Sequence, residues 1–155
     1  AQAPYQLTTG QLANIFAVYL IGVIITPLAT KLIQRFGSAR TIIVAVLISM
    51  LGVLTTLTSP LWLIIVGLSI MSSGVFITQS ATIGYIATNV SEGRSLASGL
   101  YYMGYYAGGT AGAWACGLAY AYGAWSSTVM LLIAVQILAL LIAAFGMIKT
   151  PMQRA

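Results

Sequence analysis

The stretch from Trp62 to Thr88, WLIIVGLSIMSSGVFITQSATIGYIAT, decides the fold, because it contains no charged residue and exceeds the ~20 residues a helix needs to cross a bilayer. Its polar content is confined to small hydroxyls, Gln79 and Tyr85. Stretches of similar character flank it on both sides, from Leu12 to Gln34, Arg40 to Thr58, Leu96 to Tyr122 and Trp125 to Ile148. The chain therefore reads as an all-α, polytopic membrane helix bundle with five transmembrane helices over about 12–34, 40–58, 62–88, 96–122 and 125–148. Residues 1–11 are expected to form an extracytoplasmic segment, and residues 149–155 a cytoplasmic tail.

Composition and charge placement support the same reading. Hydrophobic residues make up 60% of the chain and charged residues 5%, where soluble domains carry about a quarter charged. The basic residues Lys31, Arg35, Arg40, Arg94, Lys149 and Arg154 follow alternate apolar stretches, whereas the connections at Ser59-Pro60 and Gly123-Ala124 carry no charge. By the positive-inside bias, the basic loops are cytoplasmic, the N-terminus is outside and the C-terminus inside. The net charge of +5 forms no basic stripe, so it reports topology rather than nucleic-acid binding.

The chain opens Ala1-Gln2-Ala3-Pro4-Tyr5, without an initiator Met or a basic segment before an apolar core, and does not resemble a signal peptide. It is expected to be a piece of a longer membrane protein. Thr8, Thr9 and Gly10 stand where a helix would be capped, so the first helix should begin close to Leu12. Pro27 after Gly22 can kink that helix. Gly37-Ser38 marks a tight turn, and Pro60 suits the first turn of the third helix. Such short connections make sequence neighbours pack antiparallel.

Polar residues at membrane depth are the functional candidates, because lipid penalises them. In the third helix Ser69, Ser72, Ser73, Phe76, Gln79 and Ser80 recur at helical spacing along one face. That face either lines an aqueous path or lets a neighbouring helix approach. Gln79 is the strongest member, since a long amide needs partners or water. In the fourth helix Gly104, Gly108 and Gly112 form a smooth packing row. Tyr101 and Tyr102 are interfacial anchors by position, and Tyr105 and Tyr106 lie deeper, where they could present ring and hydroxyl to a substrate or pack in the core. Helices two and five are apolar around most of their circumference and are expected to face lipid. Gln136 is the exception, expected to hydrogen-bond to an adjacent helix.

Much chemistry is excluded. The chain has no His and no Asp, its single acid is Glu92, and its single cysteine is Cys116. Paired-carboxylate catalysis, a Ser-His dyad and a His- or multi-Cys metal site are unavailable within it. It carries no phosphate-binding Gly-rich loop. No enzymatic activity, cofactor or metal is implied, which leaves transport, channel formation or structural assembly.

The turn between the first two helices, Thr30-Lys31-Leu32-Ile33-Gln34-Arg35-Phe36-Gly37-Ser38-Ala39-Arg40, resembles the cytoplasmic loop signature of the major facilitator superfamily, written G-x-L-A-D-R-x-G-R-R. Arg35, Gly37 and Arg40 fit; Thr30 and Gln34 stand where the pattern has Gly and Asp. Ser59-Pro60-Leu61-Trp62 before a Gly/Ser-rich helix, Gly93-Arg94-Ser95 before a Gly-rich helix and Trp125 before the last helix also look like the C-terminal half of bacterial inner-membrane sugar- and drug-efflux members. The resemblance implies transmembrane helices eight to twelve of a twelve-helix protein, with helices two to six of the first half as the lower-ranked register, and a protein that exports a small molecule by proton-coupled alternating access. It implies a missing N-terminal half as partner. Ser72, Ser73, Phe76, Gln79, Tyr105 and Tyr106 then become substrate-cavity candidates. The alternative is a non-transporting bundle, such as a channel subunit or assembly partner, docking through the Gly104-Gly108-Gly112 face.

Overall fold

The computed structural model describes residues 8–147; residues 1–7, Ile148 and the expected tail 149–155, with Lys149 and Arg154, lie outside the described residues. The described chain is helical almost throughout, with no strand. Helix α1 spans Thr9–Phe16, a 3-10 turn covers Ala17–Leu20, and α2 spans Ile21–Phe36. The helix starts earlier than Leu12 because of a reciprocal cap. Gln11 N–H donates to the Thr8 hydroxyl at 3.3 Å, and Thr8 N–H donates to Gln11 Oε1 at 2.9 Å. This pair satisfies two of the first-turn amides that a helix leaves unbonded.

Gly37 ends α2 and starts α3, Ser38–Thr55. Its φ of 81° lies where an L side chain is strained, which explains why the turn can be so short. The Gly37 carbonyl then accepts from both the backbone N–H (3.2 Å) and the hydroxyl (2.8 Å) of Thr41. No side chain caps the start of α3. After Pro60, α4 spans Leu61–Asn89, and α5 covers Arg94–Ile142, followed by a π-helical turn at Ala143–Met147.

Four helical stretches are long and apolar enough to cross a membrane: Ala17–Phe36, Ser38–Thr55, Leu61–Asn89 and Arg94–Met147. The last is double. A straight helix of the 49 residues in α5 would reach about 74 Å, more than twice the ~30 Å hydrocarbon core. Its backbone leaves helical geometry at Gly123 (φ −149°, ψ 31°) and Ala124 (φ 53°, ψ −150°). Beyond that break the chain folds back, since the Thr128 hydroxyl reaches the Cys116 carbonyl at 3.5 Å, a pair about 18 Å apart in a straight helix. The arms 94–122 and 125–142 are therefore an antiparallel hairpin.

The core lies where α3 crosses α4. A Cβ on Gly74 would stand 2.5 Å from the Ala45 carbonyl oxygen, and one on Gly52 would stand 2.5 Å from the Met71 nitrogen. The two backbones thus approach through small residues, the close packing that membrane helices use in place of a hydrophobic drive. Around this crossing Ile42, Val46, Ala81 and Ala143 form one buried cluster, and Ala29, Ala45 and Ile77 a second that holds α2. The 125–142 arm runs antiparallel to α3: Trp125 meets Thr56, Gln136 meets Ser49, and Ala143 packs with Ile42 and Val46.

One expectation about packing changes. Helix α3 is not merely a lipid-facing helix; Thr41, Ile42, Ala45, Val46, Ser49, Gly52 and Val53 are buried, and only the opposite face, with Val44, Leu47, Leu51 and Leu54, is exposed. The Gly104-Gly108-Gly112 row has nothing within 4 Å of any Cβ placed there. Close small-residue packing within this chain occurs at Gly52, Gly67 and Gly74 instead.

Candidate functional site

Polar groups converge in a cleft of about 300 Å³ between α3, α4 and the two arms of α5. Helix α3 contributes Ser49 and α4 contributes Thr78, Gln79 and Thr82; Tyr101 and Tyr105 come from the first arm of α5 and Gln136 from the second. The Gln136 amide nitrogen donates to the Ser49 hydroxyl at 2.9 Å. Its carbonyl oxygen, Oε1, is buried and has no hydrogen-bond partner among the described residues. The Thr82 hydroxyl is already committed, donating to the Thr78 carbonyl at 2.8 Å. The cleft is thus lined by an amide bonded to Ser49, a second amide at Gln79, and two phenol rings.

The candidates read from the sequence divide by their position along α4. Gln79 and Tyr105 meet in this cleft. Phe76 does not join them: its ring lies where a Cβ on Gly22 would be, 2.7 Å away, and stands edge-on to Tyr19 with centroids 6.4 Å apart. Ser72 lies beside a different cleft, with Phe16 and Tyr19. Ser73 is buried and donates to the Ser69 carbonyl at 2.8 Å. Tyr106 stacks edge-to-face on Tyr105 at 5.4 Å but is 68% exposed. At the α2–α3 turn, the Arg35 guanidinium lies 5.4 Å from the Phe36 ring centre, and Arg40 is exposed.

Sequence reading placed no role on Ser49, Thr78 or Thr82, and gave Tyr101 only an interfacial one. Ser49 carried a usable signal as the single polar residue in the middle of an apolar helix. The expected bond from Gln136 to an adjacent helix is present, and Ser49 is the acceptor.

Helices apolar enough to cross a bilayer, packed around a cleft of uncharged polar groups, define a polytopic membrane helix bundle. The Major Facilitator Superfamily model matches residues 2–155, and the chain belongs to that superfamily, as the loop resemblance implied. Among relatives, an "Uncharacterized transporter" of Buchnera aphidicola subsp. Schizaphis graminum is 31% identical over 106 residues, covering 68% of this chain and 26% of its own length. An "Uncharacterized MFS-type transporter YybF" of Bacillus subtilis is 26% identical over 105 residues, again 68% of this chain and 26% of that protein. The matched stretch spans about a quarter of the length of these relatives. No solved structure matches the chain.

Proposed function

We propose that this chain forms the C-terminal half of a secondary transporter that exports a small molecule across the inner membrane by proton-coupled alternating access. The observation that carries the reading is the convergence of Gln79, Gln136, Tyr101 and Tyr105 on one cleft within a chain that is 60% hydrophobic. Uncharged amides and phenols bind a solute by hydrogen bonds and ring faces without a buried charge, so the solute can also leave. In this reading the cleft is one wall of a site at the midplane, and the N-terminal half provides the other wall. The C-terminus lies in the cytoplasm.

Proton coupling needs a titratable group at membrane depth, and Glu92, the only acid, is in the α4–α5 connection. The proton carrier is therefore assigned to the other half. Everted vesicles containing the full-length transporter test the proposal with a panel of sugars and cationic dyes driven by a pH gradient. Gln79→Ala should change the substrate range or raise the apparent KM several-fold. Unchanged transport of every substrate would remove Gln79 from the site, and absence of gradient-driven transport in the wild type would favour the non-transporting bundle.

A further inference from the structure

A second concavity lies away from the polar cleft, at the end of the bundle that carries the α2–α3 turn. It is an apolar groove of about 460 Å³ lined by Leu32, Phe36, Val44, Ile48 and Ile77, with Arg40 among its walls. Phe36 and Val44 are exposed, so the groove opens on the outer surface of this bundle. Arg40, in the first turn of α3, is part of its wall, and on α2 Lys31 and Arg35 stand five residues and one residue before the lining Phe36. These are three cations within ten positions, and Glu92 is the only acid in the chain. None of the three takes part in an ion pair among the described residues; Arg35 rests on the Phe36 ring.

We propose that this groove binds one anionic phospholipid, with an acyl chain against Leu32, Val44 and Ile48 and the phosphate on Arg40 and Arg35. The apolar walls supply the place and the unpaired cations supply the selectivity. Any lipid tail fills an apolar groove equally well, because tails and side chains are alike in polarity. The headgroup decides, since basic pockets between membrane helices attract anionic lipids, with a gain of about five-fold in binding for each Lys or Arg near the surface. This assignment does not depend on the chain being a transporter.

The test uses the full-length protein in detergent, titrated with dioleoylphosphatidylglycerol or dioleoylphosphatidylcholine and read by native mass spectrometry. The wild type should retain the glycerol lipid preferentially. Arg40→Gln should weaken that retention about five-fold without affecting the choline lipid, and Arg40→Lys should restore it. A photo-crosslinking residue at Val44 should, in native membranes, yield an adduct carrying the mass of a lipid. Equal retention of the two lipids by the wild type, or unchanged retention by the Arg35→Gln/Arg40→Gln double variant, would overturn the proposal. So would a Val44 crosslink within the protein with no added lipid mass, which would mean that another helix covers the groove.

Discussion

The amide nitrogen of Gln136 donates to the hydroxyl of Ser49 at 2.9 Å, the polar bond that fixes the last arm of the hairpin against the middle of α3. It leaves the other end of the amide, Oε1, buried with no hydrogen-bond partner among the described residues. Interhelical bonds of this kind contribute about 0.6–2 kcal/mol in membranes. Ser49→Ala is expected to cost about 1 kcal/mol, because it leaves the whole amide unpaired. Gln136→Leu should be milder, since it removes the unsatisfied acceptor together with the donor. The double variant should then resemble Gln136→Leu alone. Thermal unfolding of the four proteins in detergent reads the cycle, and additive losses would show that the bond is not the link between these helices.

Close contact of α3 and α4 makes Gly74 one of the sensitive small residues of the core, with Gly52 and Gly67. Gly74→Ala places a Cβ 2.5 Å from the Ala45 oxygen and 2.7 Å from the Ser49 Cβ, which forces backbone to move and should cost about 1–3 kcal/mol. Gly10→Ala, with nothing within 4 Å, should leave stability unchanged. Equal melting temperatures for the two variants would argue that the helices are further apart.

Ala124 holds φ at 53° and ψ at −150°, a conformation that a Cβ disfavours by about 1–3 kcal/mol. Ala124→Gly should remove that strain and raise the melting temperature. A fall would mean that the methyl group makes contacts worth more than the strain.

Trp125 secures the same turn from the other side. Its indole N–H donates to the carbonyl (3.2 Å) and the hydroxyl (3.0 Å) of Thr56, which joins the hairpin reversal to the end of α3. Trp125→Phe keeps a ring and removes both bonds, at a cost of about 1 kcal/mol. Hydrogen exchange should become faster for the amides of Thr56, Leu57 and Thr58, whose bonds close the last turn of α3. Unchanged exchange there would show that the turn holds without the indole.

No described residue comes within 4 Å of a Cβ placed on Gly108. In the proposed full-length transporter that face meets the other half, so Gly108→Leu should reduce transport at least ten-fold by keeping helices apart while the melting temperature of the protein changes little. Full activity in the variant would place the row against lipid.

Hydropathy alone marked the helices long and apolar enough to cross a membrane, and the break at Gly123-Ala124 falls between the apolar stretches that end at Tyr122 and begin at Trp125. Which face of each crossing meets protein was not legible. Helix α3 is apolar all round, and in a bilayer the core and the lipid select the same side chains, so its burial could not be told from exposure. Glycine rows show where helices can approach and not where they do: Gly52 and Gly74 meet a neighbour, whereas Gly104, Gly108 and Gly112 meet none among the described residues. The polar stripe of α4 divided because a helix changes neighbours along its length. Phe76 and Ser72 fall beside Tyr19 of the first crossing, and Gln79, less than a turn beyond Phe76, already belongs with Gln136 and Tyr105. Isolated polar residues were the more dependable signs, as Gln136 shows.

The antiparallel order of α2, α3, α4 and the first arm of α5 brings Lys31, Arg35, Arg40, Glu92 and Arg94 to one end of the bundle. Moving an elementary charge through the full membrane field changes energy by about 2.3 kcal/mol per 100 mV. The described spans carry no charged side chain through its middle, so in the proposed alternating-access cycle this bundle would move no side-chain charge across the field. Any voltage dependence of a cycle that includes it has to arise from the solute, from a bound proton, or from charges on other parts of the protein.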